Sequence, residues 1–208
     1  RGLGDVYKRQ PQQNMSVIHI AGTNGKGSVS AFLCSILKEA GIRTGMFTSP
    51  HLVDFRERIC VDGQMISCEE VTKLGNMLLE EDFGTVPTMF DYCLAMALLY
   101  YRDRQCQAVV IETGLGGRLD STNAIGVPEV TVVTKIGYDH MAVLGDTLDK
   151  IAAEKAGIIK KGTKLVLESQ KKDAMDVLLE TAEKEAVTEI KIADMLSLIH
   201  ISEPTRLR

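Results

Sequence analysis

Short apolar runs rich in β-branched residues alternate along the chain with longer segments of helical periodicity. The short runs, which we interpret as strands, are 17–21, 43–48, 108–111, 130–134 and 165–167. The helical segments, with apolar residues three and four positions apart, are 28–40, a helix beginning at 67, and 88–103, 147–157 and 171–185. This alternation predicts an α/β fold with a mostly parallel sheet flanked by helices.

Turn and cap residues divide these elements. Asp62-Gly63 lies between two short strand-like segments, 57–61 and 64–66, and predicts a hairpin with a two-residue turn. Ser67 begins the next helix, and Glu70 stands three residues later as its expected capping-box partner. Gly41 suits the C-terminal cap of the first helix.

Composition narrows the class of protein. The 208 residues are 45% hydrophobic and 25% charged, which is typical of a globular domain with its own core. No apolar run approaches the roughly 18 residues that a membrane span needs. The net charge of -4 and the scattered Lys and Arg argue against nucleic acid as a partner. Five cysteines without metal-ligand spacing indicate reduced thiols and a cytoplasmic protein.

Four polar or glycine-rich loops follow predicted strands. They cover 22–28, 49–51, 112–123 and 135–145. Ligands of open parallel α/β sheets bind outside the carboxyl ends of the strands, where all four loops would converge. This convergence is a stronger indication of a site than any one motif.

The first loop reads Gly22-Thr23-Asn24-Gly25-Lys26-Gly27-Ser28 and joins a strand to a helix. Its glycines let backbone N–H groups approach a polyphosphate, and the helix N-terminus adds positive potential. Lys26 can reach the β- and γ-phosphates, and Ser28 can face a phosphate or Mg²⁺. The loop departs from the strict P-loop pattern, because Ile20 replaces the first glycine and Gly27 separates Lys26 from Ser28. The alternative interpretation is a glycine-rich turn without a ligand.

Individual polar residues at the strand ends leave two interpretations open. Glu112 is either a solvated strand end or a Mg²⁺ ligand. His140 is either a surface side chain or a site residue, although Mg²⁺ prefers oxygen ligands. In the loop that contains His51, Ser49 offers the more useful oxygen. His19 alternates within a strand, and we interpret it as structural.

Other basic residues carry weaker signals. Lys155 lies on a predicted helix, and helical spacing alone favours an exposed lysine. Arg56 and Arg58 either bind an anionic substrate or decorate the hairpin. The glycines at 114, 116 and 117 permit close backbone approach to a substrate but do not match a dinucleotide fingerprint.

Taken together, five segments resemble the folylpolyglutamate synthase/dihydrofolate synthase family of the Mur ligase superfamily. They are AGTNGKGS (21–28), TSPHL (48–52), ETGLGGRLDSTN (112–123), DHMAVLG (139–145) and EKAGI (154–158). They occur in order over about residues 17–167, and the first segment alone would also fit other Mur ligases. The resemblance implies a P-loop ATPase fold like the Mur ligase central domain, truncated in this chain.

The resemblance also implies residue roles that periodicity does not give. Residues 22–28 would bind ATP, with Lys26, His140 and Lys155 as catalytic residues. The residues that would hold metal are Ser28, Ser49, Glu112, His140 and Lys155, the last as a carbamylated lysine. The residues that would line the pterin or folate pocket are Thr88, Met89, Phe90, Asp91, Leu119, Asp120 and Ser121.

The implied reaction is ATP-dependent amide formation. ATP phosphorylates a carboxylate of dihydropteroate or of a folate, and the amine of L-glutamate displaces phosphate from the acyl phosphate. Mg²⁺ would assist, with K⁺ as a further candidate, and the enzyme would act as a monomer on small molecules only. Two alternatives stay open: a Mur-type ligase of peptidoglycan or cyanophycin precursors, and a generic P-loop nucleotide-binding module.

The ends of the chain look foreign to the rest. Residues 1–10 and 196–208 resemble translated adapter or vector sequence, and ordinary disordered termini are the alternative. The expected organisation is therefore an incomplete ATP-binding domain over 11–195, with the C-terminal glutamate-binding domain of the family absent. A chain of this extent is expected to be inactive alone.

Overall fold

The computed structural model describes residues 15–84 and 86–193 of the chain. Over these residues eight strands form one sheet in the order β4-β3-β2-β5-β1-β6-β7-β8. The strands are β1 (Ser16–Ala21), β2 (Thr44–Phe47), β3 (Ile59–Val61), β4 (Gln64–Met65), β5 (Ala108–Glu112), β6 (Val130–Val133), β7 (Lys164–Glu168) and β8 (Glu189–Ala193). Among the described strands, only the β2–β3 and β3–β4 pairs are antiparallel. The interpretations of both chain ends lie outside the described residues.

Helices connect the strands. The α-helices are α1 (Lys26–Glu39), α2 (Cys68–Leu79), α3 (Met89–Asp103), α4 (Met141–Leu144), α5 (Leu148–Ala156) and α6 (Lys172–Lys184). Two 3₁₀ segments cover Phe55–Arg58 and Ser121–Ile125. The predicted α/β fold is thus confirmed. None of the described helices has the length and apolar character that crossing a membrane requires.

The turn predictions are right in kind and partly wrong in detail. Asp62 and Gly63 both have positive φ, 50° and 79°, as a two-residue hairpin turn requires. Ser67 caps α2 by accepting a hydrogen bond from the Glu70 backbone at 3.2 Å. The Glu70 carboxylate, however, accepts from Arg104 at 2.8 Å, so the expected return bond of the capping box is replaced by an ion pair.

Two elements of the structure are not predicted by the hydrophobic periodicity of the sequence. Strand β8 pairs with β7 at the sheet edge, yet all five of its residues are exposed. Its sequence EIKIA is too charged and too short to read as a buried strand. Helix α4 is only four residues long, which is too short for helical periodicity to show.

Two buried apolar clusters hold the layers together. The larger joins α2 and α3 to strands β2 and β5, and the smaller joins α5 and α6 to β6 and β7. Helix α3 is apolar almost all round, and Leu98 within it is fully buried. Truncating such a side chain to Ala costs about 2–5 kcal/mol, so this helix is a principal source of stability.

The topology places the predicted loops together. Neighbouring parallel strands β2, β5, β1 and β6 present their carboxyl ends at one edge of the sheet. The loops after these strands also bond to each other. Thr23 donates from its backbone to the Lys135 carbonyl at 2.8 Å, and Ser49 donates to the Glu112 carboxylate at 3.3 Å.

Candidate functional site

The phosphate loop (residues 22–28) is shaped by backbone geometry. A Cβ built on Gly22 would lie 1.8 Å from the Thr134 hydroxyl oxygen, so only glycine fits there. Gly25 takes the left-handed conformation immediately before α1, with φ 87° and no side-chain cap. The tip residues Asn24, Gly25, Gly27 and Ser28 are exposed. The first N–H groups of α1 therefore stand uncapped at an exposed helix start, which suits an anionic ligand.

Lys26 folds back over the phosphate loop. Its ammonium donates to the Thr23 carbonyl at 3.3 Å and lies 3.8 Å from the Glu112 carboxylate. The side chain is only 15% exposed, so the charge is held in place and poorly screened by water. This arrangement puts a fixed positive charge beside the loop.

Glu112 ends strand β5 as a buried carboxylate. Burial raises its pKa, while the Lys26 charge and the hydrogen bond from the Ser49 backbone act in the opposite direction. The pKa remains above the ordinary value of glutamate. A cation arriving beside this carboxylate would favour its ionised form, as expected for a metal-binding acid.

A magnesium ion delivered with a nucleotide fits these residues better than a metal held by protein alone. Within residues 15–84 and 86–193, no group of three or more His, Cys, Asp or Glu side chains is placed to hold a metal. Mg²⁺ is commonly bound through one or two carboxylates together with phosphate oxygens and water. Glu112 supplies the carboxylate, with the Ser49 backbone bonded to it.

His140 occupies a different setting from Glu112. It has φ 46°, directly precedes α4, and is more than half exposed. Its imidazole lies 3.7 Å from the Asp139 carboxylate. A catalytic or metal role for His140 therefore stays a prediction.

Lys155 is buried, so its interpretation as an exposed helical lysine is wrong. It is 4% exposed, and its ammonium donates to the Gly22 carbonyl at 2.9 Å. Burial lowers its pKa to about 8, helped by the charge of Lys26 and opposed by Asp139 and Asp120. Helical spacing could not reveal this, because the covering residues come from loops far away in the chain.

A cavity of about 630 Å³ opens between the loops that follow β2 and β5. Its lining residues are Ser49, Pro50, Arg58, Thr88, Phe90, Gly114, Leu115, Arg118, Leu119, Asp120, Ser121, Val143, Leu144 and Glu154. Five of the seven residues predicted for the acceptor pocket are among them, and Met89 and Asp91 are not. Ser49 belongs both to this cavity and to the surroundings of Glu112.

Asp91 does not line the cavity but bonds to residues that do. Its carboxylate accepts from the Thr88 backbone at 2.7 Å and from the Thr88 hydroxyl at 2.8 Å, which caps α3. Burial would raise the pKa of Asp91, but hydrogen bonds from Ser121 and Thr88 outweigh it and lower the pKa. Asp91 thus holds two cavity residues in place. Met89 is 73% exposed at the start of α3.

The pocket loop (residues 113–123) is held by its own side chains. Asp120 accepts from the Leu115 backbone at 2.7 Å and from the Thr122 backbone at 3.0 Å. Asn123 donates to the carbonyls of Arg118 and Gly157, at 3.0 and 3.1 Å. These bonds close the loop and attach it to the end of α5.

Several cavity residues are not among the predicted site residues. Arg118 pairs with Glu154 at 2.8 Å, across 36 positions of the chain. Arg58, left open between two roles, lines the cavity and donates to the His51 imidazole at 2.8 Å. Arg56 instead pairs with Asp54 at 2.7 Å. The only signal for Glu154 is its place in the EKAGI segment.

Known proteins resemble this chain closely. Dihydrofolate synthase/folylpolyglutamate synthase of Bacillus subtilis is 45% identical over 183 residues, covering 85% of this chain and 42% of that protein. E. coli FolC, solved with DHPP and ADP, has a TM-score of 0.83 at 32% identity, covering 92% of this chain and 45% of that one. A solved FPGS-AMPPCP-folate complex has a TM-score of 0.82 at 35% identity, covering 92% and 48%.

These similarities confirm the resemblance carried by the five segments. The chain spans less than half the length of each of the three proteins. Residues 20–195 match the Mur ligase middle domain. The chain therefore belongs to the Mur ligase family.

Proposed function

We propose that this chain is the ATP-binding part of a ligase that adds L-glutamate to folates or to dihydropteroate. One observation carries the proposal: Ser49 lines the cavity of about 630 Å³ and also donates to Glu112, whose carboxylate lies 3.8 Å from the ammonium of Lys26 in the phosphate loop. A phosphoryl donor and a carboxylate acceptor bound in these two places would meet near Ser49. Relatives solved with ADP and DHPP, or with AMPPCP and folate, support the same pairing of ligands.

The phosphate loop would bind the ATP polyphosphate. The uncapped N–H groups of α1 supply donors, and Lys26 supplies a fixed positive charge for the transferred phosphoryl group. Glu112, Ser49 and Ser28 would hold Mg²⁺, which neutralises phosphate charge and polarises the phosphoryl oxygens when bound. The chain's own contribution is mainly positioning and electrostatic stabilisation.

The cavity would hold the acceptor. Phe90 offers an aromatic surface that Phe47 fixes edge to face, with ring centroids 5.5 Å apart. Asp120 and Thr88 offer polar groups for a pterin, and Arg58 and Arg118 match the negative charge of the acceptor carboxylates. Activation of that carboxylate as an acyl phosphate then lets an amine displace phosphate at neutral pH.

Lys155 would act as a carbamylated lysine that supports a second metal. Carbamylation requires the neutral amine, and a pKa of about 8 makes that form accessible near neutral pH. The lysine also touches the phosphate loop through the Gly22 carbonyl. Intact-mass spectrometry under carbon dioxide would test the modification, with Lys155→Arg as the matched control.

The test of the function is an acceptor panel on the full-length ligase. Labelled glutamate would be offered with Mg-ATP and with dihydropteroate, tetrahydrofolate or a muramyl-nucleotide precursor as the acceptor. Lys26→Ala removes the phosphate-loop charge, and Lys38→Ala is the matched control on the exposed end of the same helix. We expect incorporation into a pterin acceptor that is lost in Lys26→Ala and retained in Lys38→Ala.

The other outcomes separate the alternatives. Incorporation only into the muramyl acceptor would assign the protein to the cell-wall branch. ATP turnover without any incorporation would favour a generic nucleotide-binding module. Because the chain matches 42% of the B. subtilis relative, we expect ligation to need the remaining part of such a protein. Glutamate ligation by this chain alone would contradict that expectation.

A further inference from the structure

His19 is a buried basic side chain on the central strand β1, beneath the pocket loop. It is 1% exposed, and its Nε2 atom lies 2.9 Å from the hydroxyl oxygen of Thr122, which is 103 positions away. Burial, and secondarily the charge of Lys160, lowers the pKa of His19 to about 3. The imidazole is therefore neutral at pH 7, with one N–H donor and one acceptor.

The hydrogen bonds around Thr122 fix which nitrogen carries the proton. The Thr122 hydroxyl donates to the Asp120 carboxylate at 2.5 Å, since an ionised carboxylate can only accept. With its single proton used there, the Thr122 oxygen can only accept from His19. Nε2 of His19 is thus the donor. Nδ1 is the bare acceptor, and it has no hydrogen-bond partner in the described part of the chain.

A directed chain of hydrogen bonds therefore runs from His19 through Thr122 to Asp120. Asp120 also accepts from the Thr122 backbone at 3.0 Å on the same oxygen, and from the Leu115 backbone at 2.7 Å on the other oxygen. A carboxylate has about four lone-pair positions, and three are occupied by protein donors. The remaining position belongs to Oδ2 of a residue that lines the cavity.

We propose that His19 is a positioning residue of the acceptor pocket: acting through Thr122, it holds the Asp120 carboxylate so that one acceptor position stays available to an N–H donor of a pterin-type substrate. This inference rests on the proposed function. It assigns to His19 a role in acceptor binding rather than in ATP binding, although His19 lies on the strand that leads into the phosphate loop.

The surroundings of His19 make a purely space-filling role a poor explanation. Its register partners on the neighbouring strands are Ile111 and Thr131, and the flanking residues of its own strand are isoleucines. An apolar residue would fill the same position without burying an imidazole. Burial of the unpaired Nδ1 acceptor costs stability, whereas the Nε2 donor has a defined task at Thr122.

The experiment compares steady-state constants of three variants in the full-length ligase. His19→Leu replaces the Nε2 donor with an apolar side chain that can remain buried. His19→Gln restores an N–H near the position of Nε2. Thr131→Val is the matched control, because Thr131 is the register partner of His19 on β6 and its hydroxyl bonds to that of Thr163 at 3.1 Å. The Michaelis constants for pterin acceptor and for ATP, and the turnover number, are measured for each.

We expect His19→Leu to raise the Michaelis constant for the pterin acceptor about tenfold, which corresponds to the loss of one buried hydrogen bond. The Michaelis constant for ATP should change less than about twofold, a margin within the variation of a neutral surface change. His19→Gln should recover most of the acceptor affinity, and Thr131→Val should leave it unchanged. A general packing defect would instead move all three constants together and would not be rescued by glutamine.

A second route covers the case in which His19→Leu does not fold. Thr122→Val removes the hydroxyl that links His19 to Asp120, and it should raise the Michaelis constant for the pterin acceptor. Its effect should not add to that of His19→Leu where both fold, because the two residues act in series. The inference is overturned if wild-type enzyme ligates a pterin acceptor while the His19 and Thr122 variants match Thr131→Val. If wild-type enzyme ligates no pterin acceptor, the proposed function fails, and this inference with it.

Discussion

The phosphate loop and the pocket loop meet at one edge of the sheet but differ in the side chains that hold them and in the exposure of their tips. The phosphate loop is held by backbone bonds from Thr23 and Asn24 to the Lys135 carbonyl, and by the Thr23 hydroxyl, which donates to the Gly137 carbonyl and accepts from the Gly137 N–H. Its tip remains exposed and uncapped. The pocket loop also has backbone bonds, such as the one from Arg118 to the Glu154 carbonyl, and its Asp120 and Asn123 side chains add bonds within the protein.

This difference shows how one sheet edge serves two kinds of ligand. A polyphosphate needs many N–H donors and one fixed positive charge. A short glycine-rich segment provides both from neighbouring residues. An acceptor pocket needs a few polar groups in fixed orientations, and these need supports from elsewhere in the fold. Helix α5 contacts both loops. Its Lys155 donates to the Gly22 carbonyl of the phosphate loop, and its Glu154 pairs with Arg118 of the pocket loop.

The largest effect that distinguishes the two loops is expected from Lys26→Met in the full-length ligase. Loss of the phosphate-loop charge should lower turnover at least about 100-fold for every acceptor, because the charge acts on the phosphoryl group. Lys38→Met should remain near wild type. A loss confined to one acceptor would show that Lys26 belongs to the pocket instead.

Backbone geometry within the phosphate loop gives the next effect. Gly22→Ala should destabilise this chain by about 3 kcal/mol or more, because its Cβ would overlap the Thr134 hydroxyl. Gly25→Ala is the matched control: it meets no atom within 4 Å and bears only the cost of φ 87°, about 1 kcal/mol. Urea unfolding of both variants would check the difference, and equal losses would contradict it.

Acid should weaken the support of the pocket loop through His19. The pKa is about 3 in the folded chain and near its ordinary 6.5 when unfolded. Between these values the unfolded chain binds more protons, so the free energy of unfolding falls as pH decreases from 6.5 towards 3. Relative to His19→Gln, wild type should lose about 2 kcal/mol between pH 7 and pH 5. Parallel pH profiles of the two proteins in urea unfolding would refute the assignment.

The smallest effect is expected at the rim of the pocket loop. Arg118 and Glu154 have side chains 56% and 24% exposed, so Glu154→Gln should change stability by only about 0.5 kcal/mol. Asn123→Ala removes two hydrogen bonds, of which the one to Gly157 is partly buried, and should cost about 1–2 kcal/mol. Thermal unfolding of the two variants would show which one loses more stability. A larger loss in Glu154→Gln would mean that the Arg118–Glu154 pair stabilises the loop more than the Asn123 hydrogen bonds do.

Most of the fold follows from local patterns. Strands buried on both faces, such as β5, read as continuous apolar runs, and amphipathic helices read from their spacing. Strand β8 could not be found this way, because an exposed edge strand is shaped by its neighbour β7 rather than by its own burial. Glu70 follows the same rule, since Arg104 from another helix competes for its carboxylate.

The site residues differ in the same way: local sequence reveals some of them, and distant contacts determine the others. Lys26 and Glu112 could be proposed from sequence because each sits next to the strand or helix end that positions it. Lys155 could be proposed only from the family resemblance, because helical spacing gives no sign that its ammonium bonds to the Gly22 carbonyl 133 positions away. The contacts of His19 with Thr122 and of Arg118 with Glu154 likewise join distant segments, and no local spacing encodes them.

The attachment of the pocket loop to distant strands and helices limits how acceptor preference can be re-engineered. Residues 113–123 grafted alone into another Mur ligase would arrive without His19 from β1 and without the Gly157 carbonyl that follows α5. The transplanted segment would then keep its sequence but lose the orientation of Asp120. The smallest portable unit is therefore discontinuous, and a chimera should carry β1, the loop and α5 from one parent.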